Sequence, residues 1–136
     1  MRPRILVVDD DPELTELLKF NLERQGCDLS VAHGGIEGLR MARTEMPDLI
    51  LLDLMLPDLE GLSVCEIFQA QPSTRDIPVF IVSALDPSWV KTRRSKAKFA
   101  AYFRKPIELN LLKQSVMSVC AQQQALLRSK LNHNGD

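Results

Sequence analysis

The chain has 136 residues, of which 45% are hydrophobic and 26% are charged, and its formal net charge is −1. These values are typical of one soluble globular domain with a sizeable core, and they give no bulk attraction to nucleic acid or to an anionic membrane surface. No apolar run approaches the roughly 20 residues that a membrane span needs.

The cysteines indicate the compartment. Cys27, Cys65 and Cys120 stand far apart, without metal-ligand spacing. An odd number of cysteines without a signal peptide favours reduced thiols in the cytosol, so we expect a cytoplasmic protein. No CxxC pattern surrounds Cys27 or Cys65, and we interpret both as small core residues.

The first predicted elements are a strand and a helix. The short apolar run at residues 5–8 favours a strand that is buried on both faces. Asp11 and Pro12 follow in the order typical of a helix cap and a first helical position, and Gly26 is a natural end for that helix. One face of the helix would be apolar, with Leu14, Leu17, Leu18 and Leu22.

A second strand and helix come next. Residues 27–31 alternate between apolar and polar side chains, which predicts a strand at an edge of the sheet. Gly34 and Gly35 separate this strand from a helix that ends before Pro47. The apolar positions of that helix are Ile36, Leu39, Ala42 and Met46.

The rest of the chain predicts three further strands and three further helices. Asp86 and Pro87 repeat the cap pattern of the first helix at the start of a basic segment. We expect strands at 48–53, 79–84 and 99–106, and helices at 62–70, at 86–98 and from about 108 to 130.

Five strands alternating with five helices predict an α/β fold with a doubly wound parallel sheet, covered by helices on both faces. Ligands of such sheets bind beyond the carboxyl ends of the strands. The conspicuous polar residues all fall at that edge: Asp9, Asp10, Asp53, Ser83 and Lys105.

This set of side chains has a definite chemistry. Neighbouring carboxylates repel, and a hard cation such as Mg²⁺ relieves the repulsion while keeping sites for phosphate oxygens. Lys105 adds a point charge that can pair with an anion, and Ser83 adds a hydroxyl donor. Together they describe phosphoryl transfer to a carboxylate nucleophile. The alternative, in which Asp10 and Asp11 only cap a helix and Asp53 opens a turn, leaves their common position unexplained.

Other α/β classes fit less well. A phosphatase of the haloacid-dehalogenase type needs an aspartate two residues after its nucleophile, where this chain has Met55. A dinucleotide-binding fold would carry GxGxxG after the first strand, and an FMN-binding protein would carry a hydroxyl-rich loop there. This chain has three consecutive aspartates instead.

The segments ILVVDDDP, LILLDLMLPDLEGL, VFIVSA and YFRKPI resemble the motifs of the response-regulator receiver domain of two-component signalling. The resemblance covers about residues 3–122, which implies a flavodoxin-like sheet of strand order 2-1-3-4-5. Residues 123–136 would then form a helix extension and a polar tail, compatible with the remnant of a linker. The chain departs from the family at Lys98, where a glycine is usual, and at Ala100, which is often acidic.

The resemblance also implies roles at the site. Asp53 would be the phosphoacceptor, and Lys105 the partner of the phosphate. Asp9 and Asp10 would be the acidic pair that binds Mg²⁺ or Mn²⁺, with Asp10 the more direct ligand. The backbone carbonyl of Met55 would complete the metal site.

Ser83 would be the switch hydroxyl and Tyr102 the switch aromatic, which together remodel the face of helix four, strand five and helix five. On that face we expect a partner to contact Trp89, Arg93 and Arg94. The partners implied are a sensor histidine kinase or a phosphotransfer protein, and a homodimer through the same face. Direct binding to nucleic acid is not expected.

On this reading the chain is not a turnover enzyme, although it promotes its own phosphorylation and dephosphorylation. Two alternatives are a receiver fragment of a larger regulator or hybrid kinase, and a scaffolding receiver that signals by binding alone. The apolar spacing of the last helix, which is broken at Gln123, is compatible with a joint that serves in association; the apolar residues are Leu109, Leu112, Val116, Val119 and Leu126. The other reading of this helix is that only its first half packs on the sheet and the rest frays.

Overall fold

The computed structural model describes residues 2–134 and contains one five-stranded parallel sheet of order β2-β1-β3-β4-β5. The predicted fold class and strand order are confirmed. The elements in chain order are β1 (Arg4–Val8), α1 (Pro12–Arg24), β2 (Asp28–Ala32), α2 (Gly35–Glu45), β3 (Leu49–Leu52), α3 (Gly61–Ala70), β4 (Val79–Ser83), α4 (Pro87–Thr92), β5 (Ala101–Arg104) and α5 (Leu109–Asn134).

The core lies on both faces of the three central strands. Alternate residues of β1, β3 and β4 point to opposite faces, and both faces are covered, which is why these strands are continuous apolar runs. On one face they pack against α2, α3 and α4, and on the other against α1 and α5. Cys27, Cys65 and Cys120 are all buried in these two layers, as free thiols.

The predicted helix caps and the predicted end of α1 are present in the structure. The Asp11 carboxylate accepts hydrogen bonds from the backbone N–H groups of Glu13 and Leu14, and Asp86 accepts one from Ser88. Gly26 follows α1 with φ of +94°, a conformation that favours glycine. These three local predictions are confirmed.

The predicted extent of the fourth helix is wrong. The helix was expected at 86–98, but α4 ends at Thr92, and Arg94 adopts the left-handed conformation with φ of 50°. The segment that follows is held on α3 instead: Glu66 accepts hydrogen bonds from the Ser95 hydroxyl and the Lys96 backbone N–H. Contacts with α3 therefore replace the last helical turns.

The last helix is longer than expected and ends at Asn134. Its first half is anchored by Leu112, Val116 and Cys120, which are buried against the sheet. Its second half carries three exposed leucines, Leu126, Leu127 and Leu131. None of the helices within residues 2–134 combines the length and the apolar character that crossing a membrane requires.

Met46 does not extend the apolar face of α2 as predicted. It lies just after the helix in the left-handed conformation, with φ of 50° and ψ of 62°, and its side chain is 52% exposed. A residue with a Cβ is strained there, because its side chain approaches the backbone too closely.

Replacing Met46 by glycine should therefore relieve strain. We expect Met46→Gly to be more stable than Met46→Ala by about 1 kcal/mol in urea unfolding, because both remove the side chain and only glycine favours the left-handed region. The exposed helical position Arg43 is the matched control, where glycine should be less stable than alanine by a similar ~1 kcal/mol. The same order of stability at both positions would contradict the assignment.

Candidate functional site

Two buried aspartates and one exposed aspartate meet at the carboxyl edge of the sheet. The backbone N–H of Asp9 donates to the carbonyl of Ala32, and that of Asp53 to the carbonyl of Val8, each at 2.9 Å. These bonds continue the strand pairing one residue past β1 and β3. As a result Asp9 is only 2% exposed and Asp53 only 5%, while Asp10 faces solvent.

Lys105 joins the two buried carboxylates. Its Nζ donates to Oδ2 of Asp9 at 2.9 Å and to Oδ2 of Asp53 at 3.0 Å. Its backbone N–H donates to the carbonyl of Ser83 at 2.8 Å, which fixes the lysine beside the end of β4. Burial disfavours the ammonium, but the bonds to Asp9 and Asp53 outweigh it, so the pKa of Lys105 is raised and the charge is kept.

The environment of Asp9 disfavours its charge. Burial raises the pKa of the Asp9 carboxyl, against the opposing effect of hydrogen bonds from the Asp11 backbone N–H (2.9 Å) and from Lys105. The carboxylate of Asp53 adds repulsion in the same direction. A further cation at this edge would relieve both effects.

The donor set fits a hard divalent cation. One carboxylate oxygen from each of Asp9, Asp10 and Asp53 lies within 4.8 Å of the other two. Within the described residues the Asp10 side chain makes no hydrogen bond or ion pair to protein, so its oxygens are available to an ion. Oxygen ligands in this number, beside open solvent, suit Mg²⁺, which retains several waters.

The loop between β3 and α3, residues 53–60, is closed tightly beside the site. Oδ1 of Asp53 accepts a 3.1 Å hydrogen bond from the Met55 backbone N–H, and Met55 pairs with Glu60 in an antiparallel bridge. A Cβ on Gly61 would lie 2.4 Å from the carbonyl oxygen of Asp53 and from Leu54 Cα. Only glycine allows the helix to start this close to the aspartate.

Ser83 and Tyr102 lie near the site without touching its carboxylates. The Ser83 side chain is fully buried at the end of β4, and its hydroxyl oxygen is 3.4 Å from the backbone N–H of Leu85. The Tyr102 hydroxyl donates to the carbonyl of Leu85 at 2.7 Å. Both side chains therefore contact the β4–α4 loop, and burial raises the pKa of the Tyr102 phenol.

Two of the three predicted partner-face residues contact each other. The Arg93 guanidinium carbon lies 4.8 Å from the centroid of the Trp89 ring, and Nη2 of Arg93 is 2.7 Å from Oε2 of Glu60. Arg94 is exposed and lies outside this contact. Trp89 and Arg93 also line a groove of about 710 Å³ that reaches Asp10 and the loop after β3.

Sequence reasoning missed three residues of this region. Asp58 and Glu60 were interpreted only as part of a polar loop, yet Asp58 binds the start of α2 and Glu60 binds Arg93. The requirement for glycine at position 61 was also missed. The pattern PDLEG predicts a turn, but it contains no local signal for the distant partners Gly35, Ile36 and Arg93.

The comparison with known families agrees with this geometry. Residues 5–117 match the family described as the response regulator receiver domain. The DNA-binding dual master transcriptional regulator RpaA of Synechocystis is 39% identical over 126 residues, which cover 93% of this chain and 49% of RpaA. The chain spans about half the length of the first curated relatives that it matches.

Solved structures share the fold. The receiver domain of the Francisella response regulator 1452 superposes with a TM-score of 0.80 at 33% identity, covering 89% of this chain and 98% of that one. The receiver domain of sensor histidine kinase PA1611 from Pseudomonas aeruginosa, which has a magnesium ion coordinated in its active site cleft, gives 0.78 at 25% identity, covering 89% and 99%. From the family match over most of its length, this chain belongs to the response regulator receiver domain family.

Proposed function

We propose that this chain is a phosphoacceptor that receives a phosphoryl group on Asp53 and signals through a change of surface. The observation that carries the proposal is the bridge from Lys105 to the buried carboxylates of Asp9 and Asp53. A scaffold that signals by binding alone has no need to bury two carboxylates beside a lysine at a solvent edge, where desolvation costs stability. A complete acidic set with its lysine therefore favours the phosphoacceptor over the scaffold.

The proposed reaction is a transfer to oxygen. A carboxylate oxygen of Asp53 attacks the phosphorus of a phosphohistidine or a small acyl phosphate, the new O–P bond forms, and the bond from phosphorus to the donor breaks. The Lys105 ammonium, 3.0 Å from Asp53 Oδ2, is positioned to pair with an oxygen of the incoming phosphoryl group. The product of the proposed step is an acyl phosphate on Asp53. The chain keeps the phosphoryl group and does not release it within this step.

The proposed metal ligands are Asp9, Asp10, Asp53 and the backbone carbonyl of Met55. When bound there, Mg²⁺ or Mn²⁺ would supply positive charge against the carboxylates and the phosphoryl oxygens. The magnesium ion in the cleft of the PA1611 receiver domain supports this assignment. So does the absence of any hydrogen-bonding or ion-pair partner for the Asp10 side chain between residues 2 and 134.

The proposed donor is a sensor histidine kinase or a phosphotransfer protein, and the proposed compartment is the cytoplasm. Three buried free cysteines support a reducing compartment. We assign no nucleic-acid contact to this region, because one short basic segment on a chain of net charge −1 makes few phosphate contacts.

The proposed output face comprises α4, β5 and the start of α5, with Ser83 and Tyr102 as the switch residues. Moving a two-state switch from 1:99 to 99:1 takes roughly 5.5 kcal/mol. One hydroxyl bond from Ser83 to a phosphoryl group supplies ~1.5–3 kcal/mol, so Lys105 must contribute as well.

The charge of this face indicates an acidic partner. Lys91 lies in α4, Arg93 and Arg94 directly follow that helix, and Trp89 beside them is an aromatic anchor of the kind enriched in binding hot spots.

Asp53→Ala should abolish phosphorylation. After treatment with acetyl phosphate and Mg²⁺, intact-mass spectrometry should show one added phosphoryl group in the wild type and none in Asp53→Ala or in EDTA. Asp48→Ala is the matched control, since Asp48 adjoins the opposite end of β3 and binds the Arg4 backbone N–H at 2.8 Å. Equal labelling of Asp53→Ala would contradict the assignment.

Asp10→Ala should weaken Mg²⁺ binding more than Asp9→Ala. We expect Asp10→Ala to lower the Mg²⁺ affinity at least about tenfold, because mutating even a group that supports the metal ligands usually has an effect of that size. Asp9 is held by Lys105 and the Asp11 N–H, so part of its charge is already balanced. Calorimetric titration ranks the two, with urea unfolding to check that both fold. The reverse order would show that the two roles are exchanged.

The output face should change its amide exchange on activation. With the phosphate analogue beryllofluoride, we expect altered exchange across residues 86–104 in the wild type and a smaller change in Ser83→Ala. The side chain of Ser83 is fully buried, and alanine fits the same space. Unchanged exchange across this segment in the wild type would exclude it as the output.

A further inference from the structure

We infer that Asp58 is a positioning residue for the metal site, because it fastens the loop that carries Met55 to the start of α2. This inference rests on the proposed function, since it concerns the affinity of the same site. Asp58 lies five residues after the phosphoacceptor, and its carboxylate binds backbone groups of another element.

The geometry of the contact is specific. Oδ1 of Asp58 accepts from the Gly35 backbone N–H at 2.7 Å, and Oδ2 accepts from that of Ile36 at 3.0 Å. The residue at the cap position of α2 is Gly34, which has no side chain to offer, so Asp58 satisfies these N–H groups from a distance of 22 and 23 residues in sequence. The two N–H groups also lower the pKa of the Asp58 carboxyl, which therefore stays charged.

The space around α2 is shaped for this contact. A Cβ on Gly35 would lie 2.9 Å from Val64 Cγ2 and 3.1 Å from Leu59 Cβ. Gly35 thus lies where Leu59 of the loop and Val64 of α3 leave little room for a side chain at the start of α2. Any larger residue at position 35 would push the loop away.

The fastening connects the two halves of the site. Asp9 and Asp10 follow Val8, and Val8 is fully buried in the same core layer as Ala42 of α2. Asp53 and Met55 belong to the loop whose far end is held on α2 by Asp58. Helix α2 therefore packs against the strand that supplies one half of the ligand set and binds the loop that supplies the other.

The bond at Asp58 does not act alone on the loop. The base of the loop is closed by the Met55–Glu60 bridge and by the bond from the Gly61 N–H to the Leu54 carbonyl at 3.0 Å. Those contacts fix the shape of the loop, whereas Asp58 fixes its distance from α2. Loss of Asp58 should then let the distance between the pair Asp9–Asp10 and the pair Asp53–Met55 vary. The contacts that hold each pair within its own segment should remain.

The test is Mg²⁺ affinity measured by calorimetry in Asp58→Ala, Asp58→Asn and the control Asp48→Ala. Asp48 also binds a backbone N–H across elements, but at the opposite end of the sheet. We expect the dissociation constant to rise about tenfold in Asp58→Ala and less in Asp58→Asn, which keeps one acceptor oxygen, with no change in Asp48→Ala. Labelling of Asp53 by acetyl phosphate should return to the wild-type extent at saturating Mg²⁺.

An affinity of Asp58→Ala equal to that of Asp48→Ala would overturn the inference, as would labelling that stays low at saturating Mg²⁺. If Asp58→Ala does not fold, Asp58→Asn is compared with Asp48→Ala by the same criterion. A wild-type chain that neither binds Mg²⁺ nor becomes labelled would overturn the proposed function, and this inference with it.

Discussion

The hydrogen bonds from Lys105 to Asp9 and Asp53 are the interaction on which the site depends. Two carboxylates that are nearly excluded from water would repel each other, and the shared ammonium makes their burial tolerable. The lysine reaches both because β1 and β3 are neighbours in the sheet and β5 ends at the same edge. The strand order therefore brings the Lys105 ammonium and the carboxylates of Asp9 and Asp53 together, in addition to forming the core.

The elements predicted well from sequence are those defined by local chemistry. The caps Asp11 and Asp86 bind N–H groups within three residues of themselves, so the pattern in the sequence is the interaction itself. The carboxyl-edge residues were also predictable, because parallel strands put their ends at one edge whatever the details of packing.

Most of the features that were missed depend on contacts between distant segments. The fourth helix ends at Thr92 because Glu66 and Cys65 of α3 bind the Ser95 hydroxyl and the Lys98 carbonyl, and no pattern within 86–98 reports this. Met46 reads as an apolar helical position, but the chain turns there in the left-handed conformation ahead of the buried Pro47. At the fourth helix tertiary contacts override a local preference, whereas Met46 leaves the helical conformation directly before a proline, which is a local effect.

The loop after β3 is where site and surface meet. Asp58 ties it to α2, Gly61 presses it against the Asp53 backbone, and Glu60 reaches Arg93 at the end of α4. These links differ in strength. At Gly61 the backbone of Asp53 and Leu54 leaves no space for a side chain, so the start of α3 is fixed beside Asp53. The side chains of the Glu60–Arg93 pair are 36–46% exposed, and ion pairs with this exposure contribute about 1 kcal/mol or less. The Glu60–Arg93 contact toward α4 is therefore the easiest of these links to break, and its loss leaves the contacts that hold the loop beside Asp53 in place.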